Sequence, residues 1–257
     1  MSNKFFKYQA NGNDFIVIDN RSNQFDKNNT KLIKKLCNRR FGIGADGLIL
    51  LQSSLKFDFR MIYFNSDGNE SSMCGNGGRC IVSFAKRIGI INETAIFSAT
   101  DGTHHAKIKN EWVELRMSNV EAVKINKNSI VLNTGSPHYV TLCSDLKKID
   151  VNLRGRKIRN SEMFIDEGIN VNFVEVVNSN TFSIRTYERG VENETFSCGT
   201  GAAATAISMH AIKKTDDLNV NINTNGGKLI VNFRYIGKIY KDIWLCGPSS
   251  YVFDGIF

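Results

Sequence analysis

Short apolar runs and two-residue alternation dominate the chain. Thirteen such segments read as β-strands: Phe15–Asp19, Leu48–Gln52, Phe57–Phe64, Ala95–Ser98, His105–Met117, Ile130–Leu132, Tyr139–Leu142, Val171–Val177, Phe182–Tyr187, Val220–Asn223, Leu229–Tyr235, Ile239–Leu245 and Val252–Phe253. Three segments carry a helical pattern. Thr30–Arg40 sets Leu32, Ile33, Leu36 and Cys37 on one face. A second begins near Gly75 and runs to Arg87, with Gly89 as its stop. The third, Thr200–Lys214, is rich in alanine and ends in Lys213 and Lys214, which suit the negative end of a helix. Many strands, few helices and no regular strand–helix alternation predict an α+β fold rather than a doubly wound sheet.

Composition narrows the class. The chain has 257 residues, 42% hydrophobic and 23% charged, which excludes disorder. Six cysteines are too sparse for a disulfide-framed scaffold. No apolar run reaches the roughly 18 residues of a membrane span, and Met1–Tyr8 shows no apolar leader. No membrane partner is therefore expected, and the expected compartment is the reducing cytoplasm. The net charge is +8, yet the basic residues are scattered and the densest cluster, Arg154–Arg159, is short. A nucleic-acid partner is not expected, whereas an acidic small molecule fits the charge. Gly42-Ile43-Gly44-Ala45-Asp46-Gly47 matches G-x-G-x-x-G, but a helical pattern precedes it and a strand follows it. That is the reverse of a dinucleotide fingerprint.

The chain repeats itself once. Tyr63, Asn69, Glu70, Cys74, Gly75 and Gly77 recur as Tyr187, Asn193, Glu194, Cys198, Gly199 and Gly201, each 124 positions on. Gly42-Ile43 recurs as Gly168-Ile169, and Gly12 and Val17 as Gly135 and Val140. The repeat predicts two pseudo-symmetric halves of about 125 residues, each with a Cys-Gly-x-Gly segment opening a helix. Glycines there let a ligand approach the backbone. A helix N-terminus favours an anion and lowers a thiol pKa from about 8.5 into the range ~3.5–7.5. Cys37, Cys80, Cys143 and Cys246 read as core residues, and the spacing of Cys and His gives no metal site. Two equivalent thiols acting on opposite faces suit inversion of a stereocentre, with the helix N-termini holding a carboxylate and developing charge. No lysine stands in a pyridoxal context.

Seven blocks carry a family resemblance: Gly12–Phe15, Gly42–Gly47, Phe64–Gly68, Met73–Cys80, Gly135–His138, Tyr187–Gly190 and Ser197–Ala202. In this order, and continuing through Gly247-Pro248 and Asp254-Gly255, the chain resembles the diaminopimelate epimerases. The resemblance implies an enzyme without cofactor or metal that interconverts LL- and meso-diaminopimelate for lysine and peptidoglycan synthesis. It implies Cys74 and Cys198 as acid/base residues, with His138 and Glu188 supporting them. Substrate contacts carried over are Asn13, Asn65, Gly75, Asn76, Asn170, Glu188, Arg189, Gly199 and Thr200. The implied fold is two halves, each a mixed β barrel or roll around a central helix. The halves are residues 1–118, rejoined by about 249–257, and residues 119–248. A homodimer is implied as well.

The match has departures. Ser136 stands where the family usually has Asn, so a substrate contact is expected to be shorter or replaced by water. Gly47 stands where some members have Gln, which removes a side chain from the ligand set. Two other readings keep the cysteines in use. One is a proline or hydroxyproline racemase, which needs no clamp such as Arg189 and places His where Asn76 stands. The other is a dithiol redox protein, which would need a reductant couple.

Overall fold

The computed structural model describes residues 4–257. Met1, Ser2 and Asn3, which open the expected N-terminal half and the stretch read as lacking a leader, lie outside the described residues. The chain forms two compact units, one running to Leu115 and taking in Gly247–Phe257, the other Arg116–Cys246. The first contains β1 (Lys4–Ala10), β2 (Asn13–Asp19), α1 (Thr30–Cys37), β3 (Gly47–Gln52), β4 (Phe59–Asn65), β5 (Glu70–Ser71), α2 (Gly75–Arg87), β6 (Thr94–Ala99), β7 (Gly102–Lys109) and β8 (Trp112–Arg116). The second contains β9 (Val123–Ile125), β10 (Ile130–Asn133), β11 (Pro137–Leu142), α3 (Val151–Arg159), β12 (Asn170–Asn178), β13 (Thr181–Glu188), β14 (Asn193–Thr195), α4 (Gly199–Ala211), β15 (Asn219–Thr224), β16 (Gly227–Ile236) and β17 (Ile239–Pro248). The chain returns to the first unit at Gly247, so the last two residues of β17 belong there, and continues as β18 (Ser250–Ile256).

Strand pairing shows the duplication directly. The first unit pairs in the order β18–β1–β2–β3–β4–β6–β7–β8, with β5 folded onto β4. The second pairs as β9–β10–β11–β12–β13–β15–β16–β17, with β14 folded onto β13. In each unit the second-to-third and fourth-to-fifth joints after the edge strand, β2–β3 with β4–β6 and β11–β12 with β13–β15, are parallel. A parallel joint needs a crossover, usually a helix. α1 and α2 supply it in the first unit, α3 and α4 in the second. The fold is α+β, a mixed sheet around a buried helix in each repeat.

The helices differ in what they bury. α1 is amphipathic and packs Ile33, Leu36 and Cys37 against Ile16, Leu48 and Phe64. α2 and α4 are covered nearly all round, with Ile81, Val82, Phe84 and Ala85 of α2 and Ala202–Ala204, Ile207 and Met209 of α4 buried. α4, rich in alanine, is apolar on nearly every side and so belongs in a core, whereas α2 is buried with Asn76 and Arg79 among its covered residues. In the second unit α4 lies among Val140, Phe182, Val220, Leu229, Val231 and Leu245.

Several expectations are corrected. α1 stops at Cys37, and α4 runs over Gly199–Ala211. The segment read as one strand from His105 to Met117 is a hairpin. Lys109 pairs with Trp112 around a two-residue turn, and Asn110 takes φ 55°, a conformation asparagine tolerates. The strands β5, β9 and β14 have only two or three residues, too few to show alternation, whereas β1 has seven and is joined to β2 by the turn Asn11-Gly12, a hairpin signal that sequence reasoning missed. The basic cluster at 154–159 is part of α3, capped by the Asp150 carboxylate, which accepts from Leu153 N at 2.9 Å.

Gly155 of α3 explains itself by packing. A Cβ there would lie 2.4 Å from Cβ and 2.5 Å from Cγ of the buried Tyr187. Gly155→Ala should therefore destabilise the protein. The helix-propensity gain of about 1 kcal/mol is outweighed by an overpacking cost of about 1–3 kcal/mol. Urea denaturation should show a lower midpoint. An unchanged or higher midpoint would mean that α3 shifts freely on Tyr187.

Candidate active site

Each repeated cysteine occupies the residue before a helix. Cys74 (φ −93°, ψ 132°) precedes α2 and Cys198 (φ −119°, ψ 114°) precedes α4. Their carbonyls accept the first helical bonds, from Gly78 N at 2.7 Å and Ala202 N at 2.9 Å. The side chains do not cap. The first-turn amides, which have no partner inside a helix, thus lie beside the thiol. Neither first turn carries a carboxylate to cancel the positive end of the helix. Cys74 is half-buried and Cys198 buried. By contrast, Cys37 and Cys80 lie in the core, where burial pushes their thiols up to about 12. Cys246 is also buried, but Cys143 is only half-buried, its thiol donating to Val174 O.

Around Cys74 the side chains form a directed chain. Asn13 opens β2 and donates from Nδ2 to Asp46 Oδ2 at 2.7 Å. A carboxylate only accepts, so Asn13 must turn its oxygen the other way. That oxygen accepts from Asn76 Nδ2 at 3.1 Å and from Cys74 Sγ at 3.7 Å. Asn76 Oδ1 in turn accepts from Arg79 at 3.0 Å. Asp46 is held by Arg39, which also grips Asp14 with both Nη atoms. Lys7 pairs with Asp14 at 2.7 Å and donates to Gly44 O. Burial alone would push the Asp14 carboxyl up, but Arg39 and Lys7 hold it well below the usual range. Asn65 ends β4 at the surface, its backbone closing the turn to Asn69.

Around Cys198 the groups come from three strands. Asn170 starts β12 and donates to Ser136 Oγ at 2.8 Å and Pro137 O at 3.0 Å, while accepting from Arg189 N at 2.9 Å. The exposed Arg189 guanidinium reaches Glu167 O at 2.9 Å and Ser136 Oγ at 3.4 Å. Ser136 therefore ties Asn170 to Arg189. Glu188 accepts from Thr195 Oγ1 at 3.0 Å. Thr200 stands 3.4 Å from Cys198 Sγ, and its carbonyl accepts from Thr134 Oγ1 at 2.8 Å. His138 is fully buried on β11; burial first, and then Arg189, push its pKa down to about 3.

The other departure, Gly47, has a steric cause. A Cβ there would lie 2.5 Å from Phe64 O and 2.5 Å from the Tyr63 ring, so Tyr63 occupies the room a Gln would need. Sequence reasoning missed the residues that hold the named ones: Arg39, Asp46 and Arg79 in the first unit, Asn172 and Thr186 in the second. The polar–apolar alternation Asn170-Val171-Asn172-Phe173 is the signal that could have found Asn172. Among the described residues no three His, Cys, Asp or Glu cluster as a metal site, and no helix is long and apolar enough to cross a membrane.

The architecture recurs in solved structures. A phenazine biosynthesis protein of the PhzF family from Bacillus anthracis superposes with TM-score 0.79 at 15% identity, covering 100% of this chain and 99% of that one. A hydroxyproline epimerase from Agrobacterium vitis gives TM-score 0.69 at 12% identity, covering 99% and 92%. These define the fold class: a duplicated α+β protein of the type shared by PhzF proteins and the proline racemase group. The model of the diaminopimelate epimerase family matches twice, over residues 5–123 and 130–248. The diaminopimelate epimerase of Flavobacterium psychrophilum is 56% identical over 98% of both chains, and that of Chlorobaculum tepidum 40% identical over 95% of this chain and 97% of its own. The chain belongs to the diaminopimelate epimerase family, a family of isomerases.

The depressed His138 sets a pH dependence of stability. The unfolded chain takes up a proton near the ordinary value of 6.5, whereas folded His138 stays neutral to about 3. Below pH 6.5 the unfolded state binds more protons, so stability falls as pH falls. Between pH 7 and 5 this contributes a loss of about 2 kcal/mol. Denaturation midpoints of the native protein and His138→Gln should diverge accordingly. Parallel curves over this range would contradict a neutral buried imidazole.

Proposed function

We propose that this chain interconverts LL- and meso-2,6-diaminopimelate, moving the α-proton with Cys74 and Cys198. The observation that carries the reading is the matched placement of both thiols before a buried helix with a glycine-rich, carboxylate-free first turn. One cysteine, as thiolate, takes the α-hydrogen. The other, protonated, returns one to the opposite face of the α-carbon. The amides of Gly75-Asn76 and Gly199-Thr200 hold the α-carboxylate and take up charge as the carbanion forms. Asn13, Asn65 and Asn170 position the substrate, and Arg189 forks onto the distal carboxylate. Glu188 and His138 tune the thiols. The chemistry needs no electron-sink cofactor. Family membership over almost the whole chain supports this substrate, and with it a cytoplasmic homodimer serving lysine and peptidoglycan precursor synthesis.

The two-thiol scheme is tested with substrate analogues carrying a leaving group at Cβ, which need only the abstraction half. Cys74→Ser and Cys198→Ser should both lose epimerisation of LL-diaminopimelate, read in D₂O as loss of α-deuterium and of meso product. Each should retain elimination from the analogue whose hydrogen faces its surviving cysteine, and lose it from the mirror-configured one. Equal loss on both analogues in both variants points to one bifunctional base.

Arg189→Lys replaces a planar fork by a point charge. KM for diaminopimelate should rise by about tenfold or more, with little change for Arg60→Lys on the surface of β4. An unchanged KM would place Arg189 outside the substrate site.

A further inference from the structure

The two repeats place a triad of side chains at register-equivalent positions beneath α2 and α4. In the first unit Phe15 and Gly47 are paired neighbours, and Ile49, two residues along β3, pairs with Tyr63. In the second, His138 and Asn170 are paired neighbours, and Asn172, two residues along β12, pairs with Thr186; strand register thus sets Thr186 in the place of Tyr63, and Tyr187, its expected repeat, in the place of Phe64. Beneath α2 the triad packs as carbon. A Cβ on Gly77 would lie 3.2 Å from Ile49 Cδ1 and 3.6 Å from Phe15 Cε1, and the rings of Phe15 and Tyr63 meet edge to face at 5.9 Å. Beneath α4 the same places hold His138, Asn172 and Thr186, all buried. A Cβ on Gly201 would lie 2.5 Å from Asn172 Oδ1 and 3.4 Å from Cys198 Sγ. The duplicate serves as an internal control: the fold is built equally well with Phe, Ile and Tyr, so the polar triad is not there for folding.

Its hydrogen bonds run one way. Thr186 Oγ1 donates to Asn172 Oδ1 at 2.9 Å, and Asn172 Nδ2 donates to Tyr139 O at 3.2 Å. A backbone carbonyl only accepts, so Tyr139 decides which end of the Asn172 amide is nitrogen. That nitrogen stands 3.0 Å from His138 Nδ1. Nδ1 is therefore the acceptor, and the single proton of the neutral ring lies on Nε2. Nε2 is buried with no hydrogen-bond partner among the described residues. Arg189, at the end of β13, is the charged group acting on the ring, and it opposes a second proton.

We propose that Asn172, oriented by Thr186 and the Tyr139 carbonyl, is a positioning residue that holds His138 as a neutral Nε2–H donor to an anion at the site. His138 is then a hydrogen-bond donor and not a base, which leaves proton abstraction to the thiols. This rests on the reading of His138 as part of the epimerase machinery.

The test is imidazole ¹⁵N NMR of the full-length protein at pH 7, the His138 signal being assigned by its loss in His138→Gln among the four histidines. The native signal should show a pyridine-like Nδ1 and a pyrrole-like Nε2. In Asn172→Asp the carboxylate should draw the proton to Nδ1. kcat for LL-diaminopimelate should fall on the order of 100-fold, KM should stay within about twofold, and the kcat profile should move to lower pH, where the doubly protonated ring again donates from Nε2. Thr186→Val should shift each readout in the same direction, by less. A proton on Nδ1 in the native protein, or native kcat and pH profile in Asn172→Asp, overturns the proposal. If Asn172→Asp does not fold, the native tautomer and Thr186→Val decide. If the native protein does not epimerise diaminopimelate, the proposed function fails, and the tautomer still decides whether Asn172 orients His138.

Discussion

A helix presents a reactive group at its N-terminus only while its first-turn amides stay open, and open amides inside a protein are costly. Both repeats meet this constraint in the same way. α2 and α4 are enclosed by strands along their length, and the cysteine and glycines stand at the one end where the chain enters. Because each helix behind them is packed among buried strands, the field of those amides is less screened than at the end of a surface helix. The glycines serve the enclosure as well as the opening. A Cβ on Gly78 would lie 3.0 Å from Leu115 and Met73, and one on Gly201 would meet Asn172 at 2.5 Å.

The side chains near each thiol are fixed from behind. Asn13 is oriented by Asp46, which accepts from its nitrogen, and Asp46 is in turn bridged to Asp14 by Arg39. In the second unit Ser136 and Asn170 hold Arg189 in the same manner. Ser136, expected as a weakened substrate contact, is thus a structural joint between two polar residues.

The sequence makes legible what depends on local pattern or on exact recurrence. α1 shows its apolar face, and the Cys-Gly-x-Gly repeat marks the start of α2 and α4. α3 is the duplicate of α1 in topology, yet it cannot be read from pattern. Arg154, Arg156, Lys157 and Arg159 outnumber its apolar residues, and Gly155 interrupts it for the sake of Tyr187, a contact made 32 positions away. β1 was missed although Asn11-Gly12, both at positive φ, form the two-residue turn that pairs it with β2, because its buried Lys7 breaks the apolar pattern of Phe5, Phe6 and Tyr8. Cys74, Cys198 and the Asn and Arg residues near them were legible through motif. Asn172, Thr186 and Asp46 were not, since their importance lies in which atom faces which.

The crossing of the chain between units has a consequence for synthesis. Arg116–Cys246 is contiguous and can form as soon as it leaves the ribosome. The other unit is split. Its first strand, with Phe5, Phe6 and Tyr8, pairs along one edge with Ser250–Ile256. A ribosome must therefore translate through residue 256 before that edge can close. Until then the nascent protein carries an open, aromatic strand edge, the feature most prone to pair with other chains. Residues 11–249, everything between the two strands, must be made before that edge is covered.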